Sequence, residues 1–289
     1  MKKSRQQLIE QFSKIAEDGV FSNEIRVSQL EYNSLPRDIA IFMKVVIDYR
    51  QQTLKHKDFA EIREIFLKLI IVAYREAKRI NPDIALSIVS SFIDDYPGVQ
   101  ESCLLLKLYS LSNACLAFRE VAKSENRLLV WQQACRQFQA YNEFLNGLLS
   151  YLIILWRTAK SKTINTAVFA LPYSNKVNQF MDITDGDDGA FYIIFRIVQP
   201  KLRNAIAHET IWLNSDANKV MYIDGKPPVE HEIDLKDFMV LCSVGSHLAQ
   251  PYLAALALIV IMESDMEQAK LLLPKDLFDL FNFVPPNAI

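Results

Sequence analysis

The sequence predicts an all-α protein. Three observations carry this: apolar residues recur at three- and four-residue spacing, glycine occurs only 7 times in 289 residues, and hydrophobic residues make up 51% against 23% charged. That spacing belongs to helices with one buried face. Scarce glycine leaves few tight turns, and the composition suits a chain that buries a core.

After 34 residues without clear periodicity, Pro36 opens a helix to about residue 50, and a second spans about 58–80. Asn81-Pro82-Asp83 supplies a cap, a proline at the first helical position and an early acid, so a third helix starts there. Asp95-Tyr96-Pro97-Gly98 breaks it and begins another, lasting to about Ala122. The turn Lys123-Ser124-Glu125-Asn126 leads into the longest helix, about 127–159, striped with Leu128, Trp131, Cys135, Phe138, Tyr141, Leu145, Leu148, Leu152 and Leu155. Residues 160–187 read as a connection, and 190–209 as helix interrupted at Pro200. Residues 210–213 and 220–223 read as a short β-hairpin. Asp234 is placed to cap one helix to Met262, and a short helix covers about 275–283 before Pro285-Pro286.

Several function classes fall away. The chain has no Gly-rich phosphate loop, which argues against kinases, P-loop enzymes and dinucleotide dehydrogenases. A net charge of −2 provides no global basic field for nucleic acid. Cys103, Cys115, Cys135 and Cys242 form no Cys-x-x-Cys pair, and three of them lie at apolar helical positions, which reads as reduced core thiols in a cytoplasmic protein, with no metal site or cofactor expected. Asp185-Gly186-Asp187-Asp188-Gly189 lacks the ligand alternation of a calcium loop and reads as a turn. The basic start is followed by no apolar run, so it is not read as a secretory signal. The charge-free stretch Phe238–Met262 is long enough for a bilayer, but Ser246, His247, Gln250 and Pro251 fall in its middle. It is read as a core helix, and no membrane association is expected.

The segment with chemistry is Lys201-Leu202-Arg203-Asn204-Ala205-Ile206-Ala207-His208. On a straight helix Lys201, Asn204 and His208 share a face, whereas Arg203 points about 140° from His208. The two therefore meet one anion only if the helix distorts, or if each serves a different part of a composite site. A guanidinium binds two phosphate oxygens, and an imidazole at a helix C-terminus is suited to proton transfer. Cleavage of RNA through its own 2′-hydroxyl needs one base and one acid. Two chains meeting at this helix would supply both. Arg157, Lys160, Lys162, Arg196 and Lys201 are candidates for a local phosphate-attracting patch, and Tyr141, Asn142 and Glu143 for polar groups at the cleft. His247 reads as a hydrogen-bonded core residue and His231 as a solvated one. A second arginine-to-histidine spacing, Arg50 to His56, has Gln51 after the arginine and no strand pair behind it, and reads as a helix end.

Arg203-Asn204-x3-His208, on a helix followed by a hairpin and another helix, resembles the HEPN superfamily of helical-bundle ribonucleases and toxins. The resemblance covers about residues 98–264. It implies catalytic Arg203 and His208, an accessory Asn204, no metal or cofactor, and a homodimer acting on RNA, for which Lys201, Arg196 and Arg157 of the cationic patch are the candidate RNA contacts. It also implies a toxin or phage-defence role with an antitoxin or regulatory partner. The expected organisation is 1–96 as an N-terminal helical segment, 97–265 as the HEPN-like domain and 266–289 as a tail. A catalytically inactive binding or sensor module on the same fold is the alternative.

Overall fold

The computed structural model describes residues 37–91, 94–100, 102–189, 191–264, 267, 270, 271 and 273–279. Helix α1 (Arg37–Lys55) leads through a 3-10 turn into α2 (Ala60–Ile80) and α3 (Pro82–Ser90). Helices α4 (Leu104–Val121) and α5 (Arg127–Ala159) form an antiparallel pair, followed by α6 (Tyr173–Thr184), α7 (Ile193–Ile197) and α8 (Pro200–Ala207). Strands β1 (Ile211–Asn214), β2 (Lys219–Asp224) and β3 (Val229–Asp234) make an antiparallel meander, and α9 (Leu235–Ser246), α10 (Ala249–Ser264) and α11 (Lys275–Asp279) complete the described chain.

The fold is thus mainly helical with one small sheet, and local signals explain the elements that match. The Asn81 side chain accepts from Ile84 N at 3.2 Å with Pro82 at the first helical position, starting α3. Asn126 caps α5 through Leu129 N at 3.1 Å. From Phe138 onward the α5 stripe is buried, but Leu128 is 64% exposed and Trp131 only half-buried. Asp95 does not begin a helix. Its carboxylate accepts from Cys103 N at 2.8 Å and so fixes the loop before α4.

Four expectations are corrected. The stretch 160–187 holds helix α6, whose polar residues outnumber its apolar ones. The hairpin is a three-stranded meander, because charged Glu230, Glu232 and Asp234 alternate with half-buried His231 and Ile233 along β3. His231 is accordingly stacked on Tyr222, its cross-strand partner, at 5.1 Å. The charge-free helix is two helices broken at His247-Leu248, and Asp234 stands at the N-cap position of α9 without a side-chain cap bond. Of the helix expected over 275–283, residues 275–279 are helical, and the rest, like Pro36 and Pro285-Pro286, lies outside the described residues.

The core runs from α1 to α11 without a break. Phe42 and Val46 on α1, Phe66 and Ile70 on α2, the inner face of α5 and nearly all of α10 belong to one apolar cluster. From Ala254 to Met262 every residue of α10 is buried. The stretch Leu235–Glu263 is long and apolar enough to cross a membrane by length and composition, and 71% of its most apolar window is packed inside the protein. Its one buried carboxylate, Glu263, accepts from Tyr74 Oη at 2.9 Å and pairs with Lys78.

Candidate active site

Helix α8 carries the Arg-Asn-x3-His segment and is seated by its apolar side. Leu202 and Ala205, each 1% exposed, face α5 and β2. A polar hub on α5 fixes the chain entering the helix. Asn142, fully buried, accepts from Tyr173 Oη at 3.1 Å and from Gln199 N at 3.4 Å, and donates to Phe138 O at 3.0 Å. Tyr141 donates to Ile197 O at 3.2 Å. Burial raises the phenols of Tyr141 and Tyr173, keeping both protonated as donors. The three polar residues marked on α5 thus divide: Tyr141 and Asn142 build this hub, and only Glu143 reaches the segment itself.

Glu143 holds Arg203. Its Oε1 accepts from Arg203 Nε at 2.7 Å and from an Nη, while the other Nη donates to Asn204 Oδ1 at 3.0 Å. Three of the five guanidinium N–H groups are used in this way, leaving two for another acceptor. Arg203 and Asn204 are half-buried.

His208 lies one residue beyond the helix. It is the C-cap of α8, with φ −99° and ψ 6°, so the segment does depart from a straight helix at its end. Glu209 follows in the left-handed conformation at φ 57°, Thr210 N bonds Ala205 O at 2.8 Å and Glu209 N bonds Ile206 O at 3.2 Å. This double closure is a Schellman motif. Thr210 Oγ1 then donates to Ile223 O at 2.9 Å, fixing the chain to β2. The His208 ring therefore projects from a closed junction into solvent, with no side-chain hydrogen bond among the described residues. No bond or ring contact joins Arg203 to His208.

The cations of the expected patch stand on α5, the chain after it, α7 and α8. Arg157 donates from Nε to Thr163 O at 2.8 Å and Lys160 from Nζ to Ile183 O at 2.7 Å, so both close the chain after α5. Lys201 and Arg196 are exposed on α8 and α7, and Lys162 is exposed after α5. The Arg50–His56 spacing is no site either: Arg50 pairs with Asp276 at 3.2 Å, and exposed His56 lies 5.3 Å from the His247 ring.

A second polar constellation escaped sequence reasoning. Arg63, 1% exposed, donates to Thr53 Oγ1 at 2.9 Å and to Gln250 Oε1 at 2.9 Å, and meets His247 Nδ1 at 3.3 Å. No carboxylate pairs with it among the described residues. Its only sequence signal was the polar break at His247 and Gln250. All four cysteines are free thiols, and burial pushes Cys115 to about 11 and Cys135 to about 12, which makes them poor nucleophiles. Among the described residues no cluster of three or more His, Cys, Asp or Glu is arranged to hold a metal.

Comparison of the chain with protein-family models, curated proteins and solved structures finds no match.

Proposed function

We propose that the protein is a metal-independent endoribonuclease of the HEPN type, cleaving RNA by 2′-hydroxyl transesterification in the cleft of a homodimer, as a toxin or phage-defence effector. The observation that carries this reading is the contrast within one segment. Glu143 holds Arg203 and Arg203 donates to Asn204, whereas the His208 ring stands free at the end of the helix.

The reaction needs little else. An imidazole removes the proton of the 2′-hydroxyl, whose oxygen attacks phosphorus. The P–O5′ bond breaks, a second imidazole gives its proton to the leaving oxygen, and a 2′,3′-cyclic phosphate remains. One chain brings one His208, and a second copy supplies the other. The two free N–H groups of Arg203 suit the charge on the phosphoryl oxygens.

The test is purified protein on an RNA pool in EDTA, beside His208→Ala and Arg203→Ala. Wild type is expected to leave cyclic-phosphate ends. Each variant is expected to lose at least a hundredfold in rate with its sedimentation unchanged, a typical loss for one acid–base group at His208 and for one charge-stabilising donor at Arg203. Cleavage that survives both substitutions, or that requires added metal, removes the reading. The engagement of Arg203 by Glu143 favours a second reading, an inactive helical module that binds a partner. That module would form the dimer and cleave no RNA.

A further inference from the structure

A cavity beside α5 carries charge of its own. Helices α4, α5 and α6 and the 3-10 turn at residues 166–170 enclose about 220 Å³, lined among others by Lys107, Ser150, Thr166 and Lys176. At roughly 30 Å³ per water this equals about seven waters, room for a phosphate and a small organic body.

Two lysines converge there. Lys176 on α6 is 4% exposed and donates only to Asn146 O, at 3.3 Å. Lys107 on α4 crosses α5 at Gly147, where a Cβ would stand 3.0 Å from Lys107 Cδ and 3.2 Å from its Nζ. The glycine in the middle of α5 thus makes room for the second ammonium. Among the described residues no lining residue is acidic. Of the described carboxylates near it, Glu143 is engaged by Arg203, and Asp95 accepts from Cys103 N and from Ser102 Oγ in the cavity wall. Ser150, fully buried in the same wall, has an Oγ without a hydrogen-bond partner among the described residues. Burying one ammonium beside another is costly, and an anion between them offsets the cost. Burial first and the Lys107 charge second bring Lys176 down to about 8, with Glu143 opposing, so it keeps its proton at neutral pH.

We propose that this cavity binds the phosphate monoester of a small polar molecule, its dianion held between Lys107 and Lys176. An ammonium only 4% exposed suits a free monoester better than a polymer backbone. The site is separate from the segment on α8 and stands whether or not the protein cleaves RNA.

The test is calorimetric titration at pH 7 and constant ionic strength with ribose 5-phosphate, ribose, inorganic phosphate and a short RNA. Ribose 5-phosphate is expected to bind, ribose not to bind, and inorganic phosphate to bind at least tenfold more weakly. Lys107→Met and Lys176→Met are each expected to weaken ribose 5-phosphate at least tenfold, while His208→Ala leaves it unchanged. Lys107 is half-exposed, so its variant keeps the test open should Lys176→Met fail to fold. No binding above matched chloride, equal binding by both lysine variants, or inorganic phosphate binding as tightly as the ester overturns the proposal. Lysine-dependent binding of RNA without binding of the ester also overturns it, in favour of a backbone contact.

Discussion

The His247 imidazole accepts at Nδ1 from a buried guanidinium, which it does only when neutral. Burial, then the charges of Arg63, His56 and Arg119, lower it from 6.5 to about 4. The folded-state value is below the unfolded one, so this residue's contribution is complete above pH 6.5 and is lost as pH falls towards 4. The ring is partly open to solvent, so the loss is about 1–2 kcal/mol rather than the full linkage value. His247→Asn keeps an acceptor near Nδ1 and removes the titration. In urea unfolding at pH 7, 5.5 and 4, the wild type is expected to lose about 1–2 kcal/mol more than the variant, and parallel losses would dismiss this account. Residues of this kind were the hardest to read in the chain. Arg203, Asn204 and His208 stood out because their types and spacing suggest chemistry. Arg63 and Lys176 sit in ordinary amphipathic sequence, and only tertiary packing removes them from water.

Elements were legible where their ends carry their own chemistry. Helix α5 begins after Asn126 and ends at Ala159, as its cap and stripe indicate, and α3 starts on Asn81-Pro82. Helix α6 and strand β3 lack such signals, since their polar residues outnumber the apolar ones that anchor them. The break between α9 and α10 was hidden for the opposite reason: the stretch is apolar on both sides, and Gly245, which lets α9 approach α5, looks like any helix glycine. A Cβ on Gly245 would stand 2.3 Å from Tyr141 Cδ1. The Tyr141 ring cannot yield, being 0% exposed, packed edge-on against Phe138 and tied to Ile197 O. At an open helical site Gly→Ala gains up to about 1 kcal/mol. Here Gly245→Ala is expected to lose about 1–3 kcal/mol by overpacking, read as a lower urea midpoint at constant m-value. A neutral or stabilising effect would show that α9 slides along α5 without cost.

At the scale of the molecule, α10 sets the architecture. Buried on all sides from Ala254 to Met262, it packs on α1 and α2, and α2 packs in turn on α5. A void of only about 20 Å³ separates Ile70, Ile88, Leu104, Leu148 and Leu256, so α2, α3, α4, α5 and α10 converge with little spare volume. This geometry makes residues 37–91 part of the scaffold that positions α5, and α5 positions Glu143 and the α8 segment. Phe66, 0% exposed on α2, tests the coupling. Phe66→Ala is expected to cost about 3–5 kcal/mol. All three tryptophans, Trp131, Trp156 and Trp212, lie beyond residue 91. Their fluorescence therefore reports α5 and the sheet, not α2. If the core is continuous, the variant shifts the tryptophan transition and the far-UV helical transition to lower urea together. A tryptophan transition that stays at its wild-type midpoint while part of the helical signal melts early would mean that α1–α3 unfold independently, and that the site on α8 does not depend on them.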